Sequence, residues 1–239
     1  MKGSNIKAVV LASGLGTRLQ PYTLFLPKPM LPLGDKPVLE HLILWLKDNG
    51  ISDIILCVSY LRRIIEDYFR NGKELGVKIT YIKTNRPMGT AGQLKSVENK
   101  INDTFMCVYG DSIFNFSLKD FIDFHRRKKA LATLALVPYK TTLKYGFIDI
   151  NTQNVIKQWR EKPSIQGLIN IGCYVMEPKF FKYIPKDSRF GMNSAFESAI
   201  KKKAPVYGYQ ADGEFIDIGD KRGYIETYKK FLGKLGKIP

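Results

Sequence analysis

The stretch LASGLGTRLQPYTLFLPKPMLPLGDKP, residues 11–37, carries the residue types best suited to chemistry. Gly14 and Gly16 follow an apolar run, and without a Cβ at either position consecutive backbone N–H groups can close around an anion. Arg18 and Lys28 add fixed positive charge, which suits a polyphosphate. Taken alone, a glycine-rich turn is also compatible with a structural role. This one lacks the third glycine of the dinucleotide fingerprint and the Gly-Lys-Ser/Thr ending of a Walker loop, which disfavours a dehydrogenase or a P-loop ATPase. A second candidate is Asp111, which ends the run FMCVYGD at the carboxyl end of an expected strand, where open α/β sheets bind ligands.

Other chemistries have little material. The only histidines are His41 and His125 and no Cys-x-x-Cys pair occurs, which leaves almost nothing for a zinc site or a Cys/His nucleophile. Cys57, Cys107 and Cys173 each sit inside an apolar run (ILCV, FMCV, IGCYV) and read as small core residues of a reducing compartment. With 38 Lys+Arg against 22 Asp+Glu the chain carries a formal charge of +16, which fits either a nucleic-acid or membrane footprint or a solvated basic surface that draws in phosphorylated ligands. The surplus lies in HRRKKA, IKKKAP and the terminal YKKFLGKLGK, with no aromatic-and-basic RNA motif beside it, so no specific nucleic-acid partner is expected. No apolar stretch approaches the length of a bilayer span and no charged-then-apolar leader opens the sequence; a soluble cytoplasmic protein without a membrane partner is expected.

The elements that must position these residues alternate in period. Residues 6–12 read as a buried strand, and Val38, Leu39, Leu42, Ile43 and Leu46 recur on one helical face until Gly50 supplies a stop. Residues 53–59, 77–83 and 104–110 read as strands and 61–70, 91–100 and 117–128 as helices, the pattern of βαβ units. Beyond that the alternation weakens: 130–138, 145–150, 154–159 and 168–176 read as strands with little helix between them, which predicts an added antiparallel portion. A short helix at 178–183, a helix at 193–203, strands at 206–210 and 215–218 and a helix from Lys221 complete the chain. No linker or long-period repeat interrupts it, so one α/β domain over residues 1–239 is expected.

The run G-x-G-T-R-L-x-P-x-T followed by P-K-P-x-L-P closely resembles the signature of the sugar-nucleotide pyrophosphorylases, nucleotidyltransferases that join a sugar 1-phosphate to a nucleoside triphosphate. The resemblance extends over essentially the whole chain. Within it ILCVSYLRRIIEDYF is similar to mannose-1-phosphate guanylyltransferases and GEFIDIG to heptose-phosphate guanylyltransferases. It implies a Rossmann-like, GT-A-like three-layer αβα sandwich with a mixed, mostly parallel sheet. Many relatives continue into a hexapeptide-repeat β-helix, which this sequence is not expected to form, and association through a sheet edge or the terminal helix stays open.

The resemblance also implies roles. Leu11, Ala12, Gly14, Gly16, Thr17, Arg18 and Lys28 would hold the nucleotide, with Gly89, Thr90 and Gly92 of the G-T-A-G segment at its base; Thr90 reads equally as a helix N-cap. Thr84, Asn85 and Arg86 stand where guanylyltransferase relatives often carry acidic residues. Asp111 and Asp217, the latter in FIDIGD with Phe215 in the usual tryptophan place, would hold Mg²⁺, a hard cation that also binds substrate phosphates. Glu161 and Lys162 of E-K-P would meet the sugar hydroxyls and the sugar phosphate, although an exposed Glu-Lys pair taken alone is a solvated turn. Asn170, with Gly172 and Tyr174, fills the N-x-G-x-Y motif, Tyr145 and Gly146 would line the sugar pocket, and Glu197 falls at a sugar-binding glutamate within the atypical wording SAFESAI.

A sugar 1-phosphate is already an anion and needs no general base, so Arg18, Lys28 and Lys162 with the metal would carry catalysis by positioning and charge neutralisation. The implied partners are a nucleoside triphosphate, GTP by the closest wording, and mannose 1-phosphate or a related sugar 1-phosphate. The alternatives are dTTP, UTP or CTP with glucose 1-phosphate or another phosphorylated small molecule, and a non-catalytic regulatory subunit.

Overall fold

The computed structural model of the protein describes residues 6–235. Chain order runs β1 (Lys7–Leu11), β2 (Pro32–Leu33), β3 (Lys36–Pro37), α1 (Val38–Asp48), β4 (Asp53–Val58), α2 (Arg62–Phe69), β5 (Lys78–Lys83), α3 (Gly89–Lys95), β6 (Phe105–Tyr109) and β7 (Ser112–Asn115). There follow α4 (Leu118–Arg127), β8 (Ala132–Thr142), β9 (Phe147–Ile150), β10 (Ile156–Arg160), β11 (Ser164–Met176), α5 (Met192–Lys201), β12 (Val206–Gln210), β13 (Glu214–Asp217) and α6 (Lys221–Leu235).

Seven strands form the central sheet in the order β12-β8-β11-β6-β1-β4-β5. Only β11 runs against its neighbours, β6 and β8; the other pairings are parallel. Both faces are covered, so the central strands alternate between two apolar layers rather than between apolar and polar. Ala8 and Val10 of β1 join Leu39, Leu42, Ile43 and Leu46 of α1 and Phe121 of α4 on one side. Val9 and Leu11 join Ala91 and Leu94 of α3 and Ala195, Phe196 and Ala199 of α5 on the other. The result is the expected three-layer αβα sandwich, each fully buried Leu or Ile contributing about 1.5–3 kcal/mol. Cys57, Cys107 and Cys173 are buried free thiols, and burial pushes the first up to about 12 and the other two well above the ordinary value. Among the described residues no helix is long and apolar enough to cross a membrane.

Three features differ from the sequence reading. The helix expected over 91–100 stops at Lys95, because the Ser96 hydroxyl donates to the Gln93 carbonyl (2.6 Å) and a separate 3₁₀ turn, Glu98–Lys100, follows. The strand expected from Leu168 starts at Ser164 and pairs with β8 as far as Thr142, so a two-stranded ribbon projects beyond the sheet and carries the exposed β9–β10 hairpin. The short strands β2, β3 and β7 carry no periodic signal of their own. In the basic clusters residues 126–129 and 201–203 are exposed as expected, and residues 236–237 of the terminal one lie outside the described residues.

His125 departs from its cluster by being buried. Its Nδ1 lies 2.8 Å from Thr133 Oγ1 and its Nε2 3.2 Å from Glu177 Oε1, which also accepts from Thr104 Oγ1 at 2.6 Å. Burial holds the imidazole below its ordinary 6.5, against the opposing pull of Glu177. On acidification the unfolded chain therefore takes the proton first, and the stability associated with neutral His125 is lost as the pH falls through 6.5. Thermal melts between about pH 7.5 and 5 are expected to show a loss that the His125→Gln variant lacks. Equal pH slopes in the two proteins would contradict this.

Candidate active site

The carboxyl ends of β1 and β6 open into a cavity of about 350 Å³, lined along β1 by Leu11 and Ala12 and across it by Tyr109, Asp111 and Asn170. The glycine-rich loop forms one wall. Gly16 takes a left-handed backbone (φ 62°), and its carbonyl accepts from Leu19 N and Thr23 Oγ1, both at 2.8 Å. A Cβ there would lie 2.8 Å from Thr23 Cγ2 and 3.1 Å from Lys28 Cβ. Gly14 has no protein atom within 4 Å of its Cβ direction, although it lines the cavity. The loop is anchored from behind by an apolar cluster of Leu19, Leu31, Leu33, Val38, Ile218 and Tyr224, and the Tyr224 hydroxyl of α6 donates to Pro32 O at 2.7 Å.

Lys28 lies in a buried 3₁₀ turn, Lys28–Met30, and is itself 7% exposed. An ammonium so placed is costly unless paired. It donates to Asp111 Oδ2 and lies 3.6 Å from Asp217 Oδ1. The two aspartates, distant in sequence, converge because the chain turns directly after Asp111 into β7, and β13 pairs antiparallel with β7 so that Asp217 stands opposite Ser112. Partial burial raises the Asp217 carboxyl above its ordinary value; Lys28 opposes this, Asp111 adds to it and Arg18 opposes it weakly. Two hard oxygen donors thus face one cation at the cavity wall, next to Arg18.

The inner wall is a chain of hydrogen bonds built on the N-x-G-x-Y motif. Asn170 Oδ1 accepts from Gly172 N (3.0 Å), Asn170 Nδ2 donates to Tyr174 OH (2.9 Å), and Tyr174 OH donates to Tyr109 OH (3.2 Å). Gly172 takes φ 73° within the register shift of β11 against β8, and its bare Cα admits the Tyr109 ring, which a Cβ would meet at 2.5 Å.

Of the residues singled out in the sequence, Leu11, Ala12, Gly14, Arg18, Lys28, Thr90, Asp111, Asn170 and Asp217 line one cavity. Gly16 and Thr17 frame its loop. Gly89 and Gly92 pack against backbone atoms of Phe190 and Ser188, so neighbouring chain accounts for their small size. Thr90 does not cap its own helix, whose cap position is Met88; its Oγ1 accepts from Met192 N (2.9 Å) at the start of α5. Tyr145, Gly146, Glu161 and Lys162 do not line the cavity. Tyr145 is 80% exposed, and Glu161 accepts from Trp159 Nε1 (3.1 Å) at the base of the β9–β10 hairpin. Glu197 is exposed on α5, outside the cavity lining. Asn85 accepts from Arg62 (2.8 Å), while Arg86 donates to Asp187 O (3.1 Å). Tyr109 and Gln93 also line the cavity and were not anticipated; the available signal was a tyrosine before Gly110-Asp111 and a polar residue among the apolar positions of α3.

A sequence model of the Nucleotidyl transferase family matches residues 7–233. The UTP–glucose-1-phosphate uridylyltransferase of Synechocystis sp. is 32% identical over 96% of this chain and 64% of its own length. The mannose-1-phosphate guanyltransferase of Saccharomyces cerevisiae is 32% identical over 97% of this chain and 66% of its own, so the chain spans about two thirds of the length of these curated relatives. The crystal structure of HddC from Yersinia pseudotuberculosis complexed with GMP-PN superposes with a TM-score of 0.75 at 28% identity, covering 95% of this chain and 99% of that one.

The two loop glycines separate in their demands. Gly16→Ala combines a positive φ with a close contact and is expected to lower the melting temperature by roughly 4 °C or more, whereas Gly14→Ala should shift it by no more than about 2 °C and lower affinity for a nucleoside triphosphate. Scanning calorimetry with a nucleotide titration checks both; unaltered nucleotide affinity in Gly14→Ala would remove that glycine from the ligand wall.

Proposed function

The chain belongs to the nucleotidyl transferase family, and we propose that it joins a sugar 1-phosphate to a nucleoside triphosphate, forming a nucleotide sugar and pyrophosphate, with GTP and mannose 1-phosphate or a related sugar 1-phosphate as substrates. The observation that carries this reading is the cavity wall on which Arg18 and Lys28 meet the paired carboxylates of Asp111 and Asp217. Support for the guanine nucleotide comes from the named guanyltransferase and from the GMP-PN complex of HddC. The named uridylyltransferase, equally identical, supports UTP with glucose 1-phosphate as a second reading.

In the proposed reaction an oxygen of the sugar phosphate attacks the α-phosphorus in line, the bond from that phosphorus to the β-phosphate oxygen breaks, and pyrophosphate leaves. The nucleophile is already an anion, so no side chain has to remove a proton. Both histidines are engaged elsewhere, His41 with Leu33 O at 2.8 Å and His125 in its buried network. The loop backbone around Gly14 and the Arg18 guanidinium hold the triphosphate. Asp111 and Asp217 fit Mg²⁺, because they already converge on one cation, the Lys28 ammonium, and Mg²⁺ is commonly bound by one or two carboxylates with water and substrate phosphate completing its shell. When bound, Mg²⁺ supplies positive charge against the phosphate oxygens as pyrophosphate forms. Lys28 would contact the triphosphate from the same wall, and Lys162, on the turn between β10 and β11, the sugar phosphate.

Pyrophosphate release with Mg²⁺ tests this, using GTP, dTTP, UTP, CTP and ATP, each with mannose, glucose and N-acetylglucosamine 1-phosphates. Release that requires both GTP and a sugar 1-phosphate is expected. Release with UTP and glucose 1-phosphate alone transfers the assignment to the second reading, and silence across the panel from a folded protein overturns the activity. Asp111→Asn is expected to abolish Mg²⁺-dependent turnover, and full retention would refute the metal assignment. Lys162→Ala should raise KM for the sugar phosphate roughly tenfold or more while leaving KM for the nucleotide near its original value.

A further inference from the structure

Gln93 stands on α3 among small and apolar residues: Ala91, Gly92 and Leu94 are buried beside it, and Ala91 and Leu94 belong to the apolar layer between α3 and the sheet. Gln93 is 8% exposed and lines the cavity, yet its Oε1 has no hydrogen-bond partner among the described residues. A buried acceptor left unpaired is destabilising, and a helix is built as readily from leucine or methionine as from glutamine. The fold therefore gains nothing from the carboxamide oxygen.

Nearby polar groups on this wall answer one another. Thr90 Oγ1 accepts from Met192 N, Asn170 bonds through both ends of its amide, and Tyr174 OH donates to Tyr109 OH. Gln93 is also held in place. Ala91 N and Gly92 N both donate to Phe190 O (3.0 and 3.2 Å), which pins the start of α3, and the Gln93 carbonyl accepts from Ser96 Oγ. The backbone that carries the carboxamide is thus fixed at the cavity wall, and the oxygen, itself closed to solvent, reaches a ligand by a turn of the carboxamide toward the cavity; such a hydrogen bond discriminates between ligands that carry a donor and ligands that lack it.

We propose that Gln93 Oε1 accepts a hydrogen bond from an O–H or N–H group of a bound substrate, which makes Gln93 a specificity-determining residue; the proposal rests on the nucleotidyltransferase reading given above. The donor belongs either to the nucleoside or to the sugar ring, and the two sources separate kinetically.

The test compares the full chain with Gln93→Leu and Gln93→Met, which keep the volume and remove the acceptor. Melting temperature, kcat and both KM values are measured with Mg²⁺, GTP and mannose 1-phosphate, or with whichever pair the wild type uses in the panel. The expected result is an unchanged or raised melting temperature, with KM for one substrate increased between about 5-fold and 100-fold. An increase confined to the nucleotide places the donor on the nucleoside; one confined to the sugar phosphate places it on the sugar. Unchanged KM for both substrates overturns the proposal. So does a fall in melting temperature, or failure of both variants to fold, because the oxygen would then serve the structure. Calorimetric titration with GTP and with mannose 1-phosphate makes the same comparison without turnover. A wild-type chain that releases no pyrophosphate then overturns the activity, while equal affinities in wild type and variants overturn the role of Gln93.

Discussion

A nearly buried ammonium between two carboxylates constrains much of what surrounds it. Lys28 arrives on the loop after β1, Asp111 on the end of β6 and Asp217 on β13, so a single charged contact ties the beginning, middle and end of the chain. Lys28 and Asp217 are each uncomfortable alone: an unpaired lysine at this depth is costly, and partial burial beside Asp111 already disfavours the ionised form of Asp217. The pairing of β13 with β7 follows as a requirement, and β7 in turn forces the chain to reverse immediately after Asp111. α6 then packs the loop from outside through Tyr224, so that the charge pairing and the apolar cluster behind the loop support each other.

The order of buried strands and helices was legible because strands covered on both faces read as continuous apolar runs and helices as one-sided periods. β1, β4 and β6 together with α1 and α4 fall close to their expected bounds for that reason. What escaped was decided by contacts between distant segments. β7 is too short to carry a pattern, and it exists because β13 pairs with it. The early end of α3 turns on one serine hydroxyl bonding back to a carbonyl. Thr90 has the composition of a cap, and which helix it caps depends on where α5 begins.

The site divides in the same way. Residues at the carboxyl ends of β1 and β6 meet at one cavity, and a strand ending in glycine and aspartate announces that position in the fold. The members of the N-x-G-x-Y motif were recognisable as a set, but not the physical reason for their spacing. Asn170 bridges Gly172 and Tyr174, and Gly172 yields its side-chain space to Tyr109, a residue with no place in the motif. Tyr145, Glu161 and Lys162 instead lie in the connections between strands that leave the sheet, which no local pattern discloses.

That ribbon has an evolutionary consequence. Its outer residues touch little of either apolar layer, and substitutions at such exposed positions usually change stability by less than about 0.5 kcal/mol. Mutations there can accumulate by drift without a folding penalty, whereas comparable changes at Lys28, Gly172 or the β7–β13 ladder are purged for their effect on the fold. Lineages can thus explore new surfaces on the ribbon while inheriting the cavity wall intact, so divergence in what the ribbon contacts should outpace divergence in the frame that supports it.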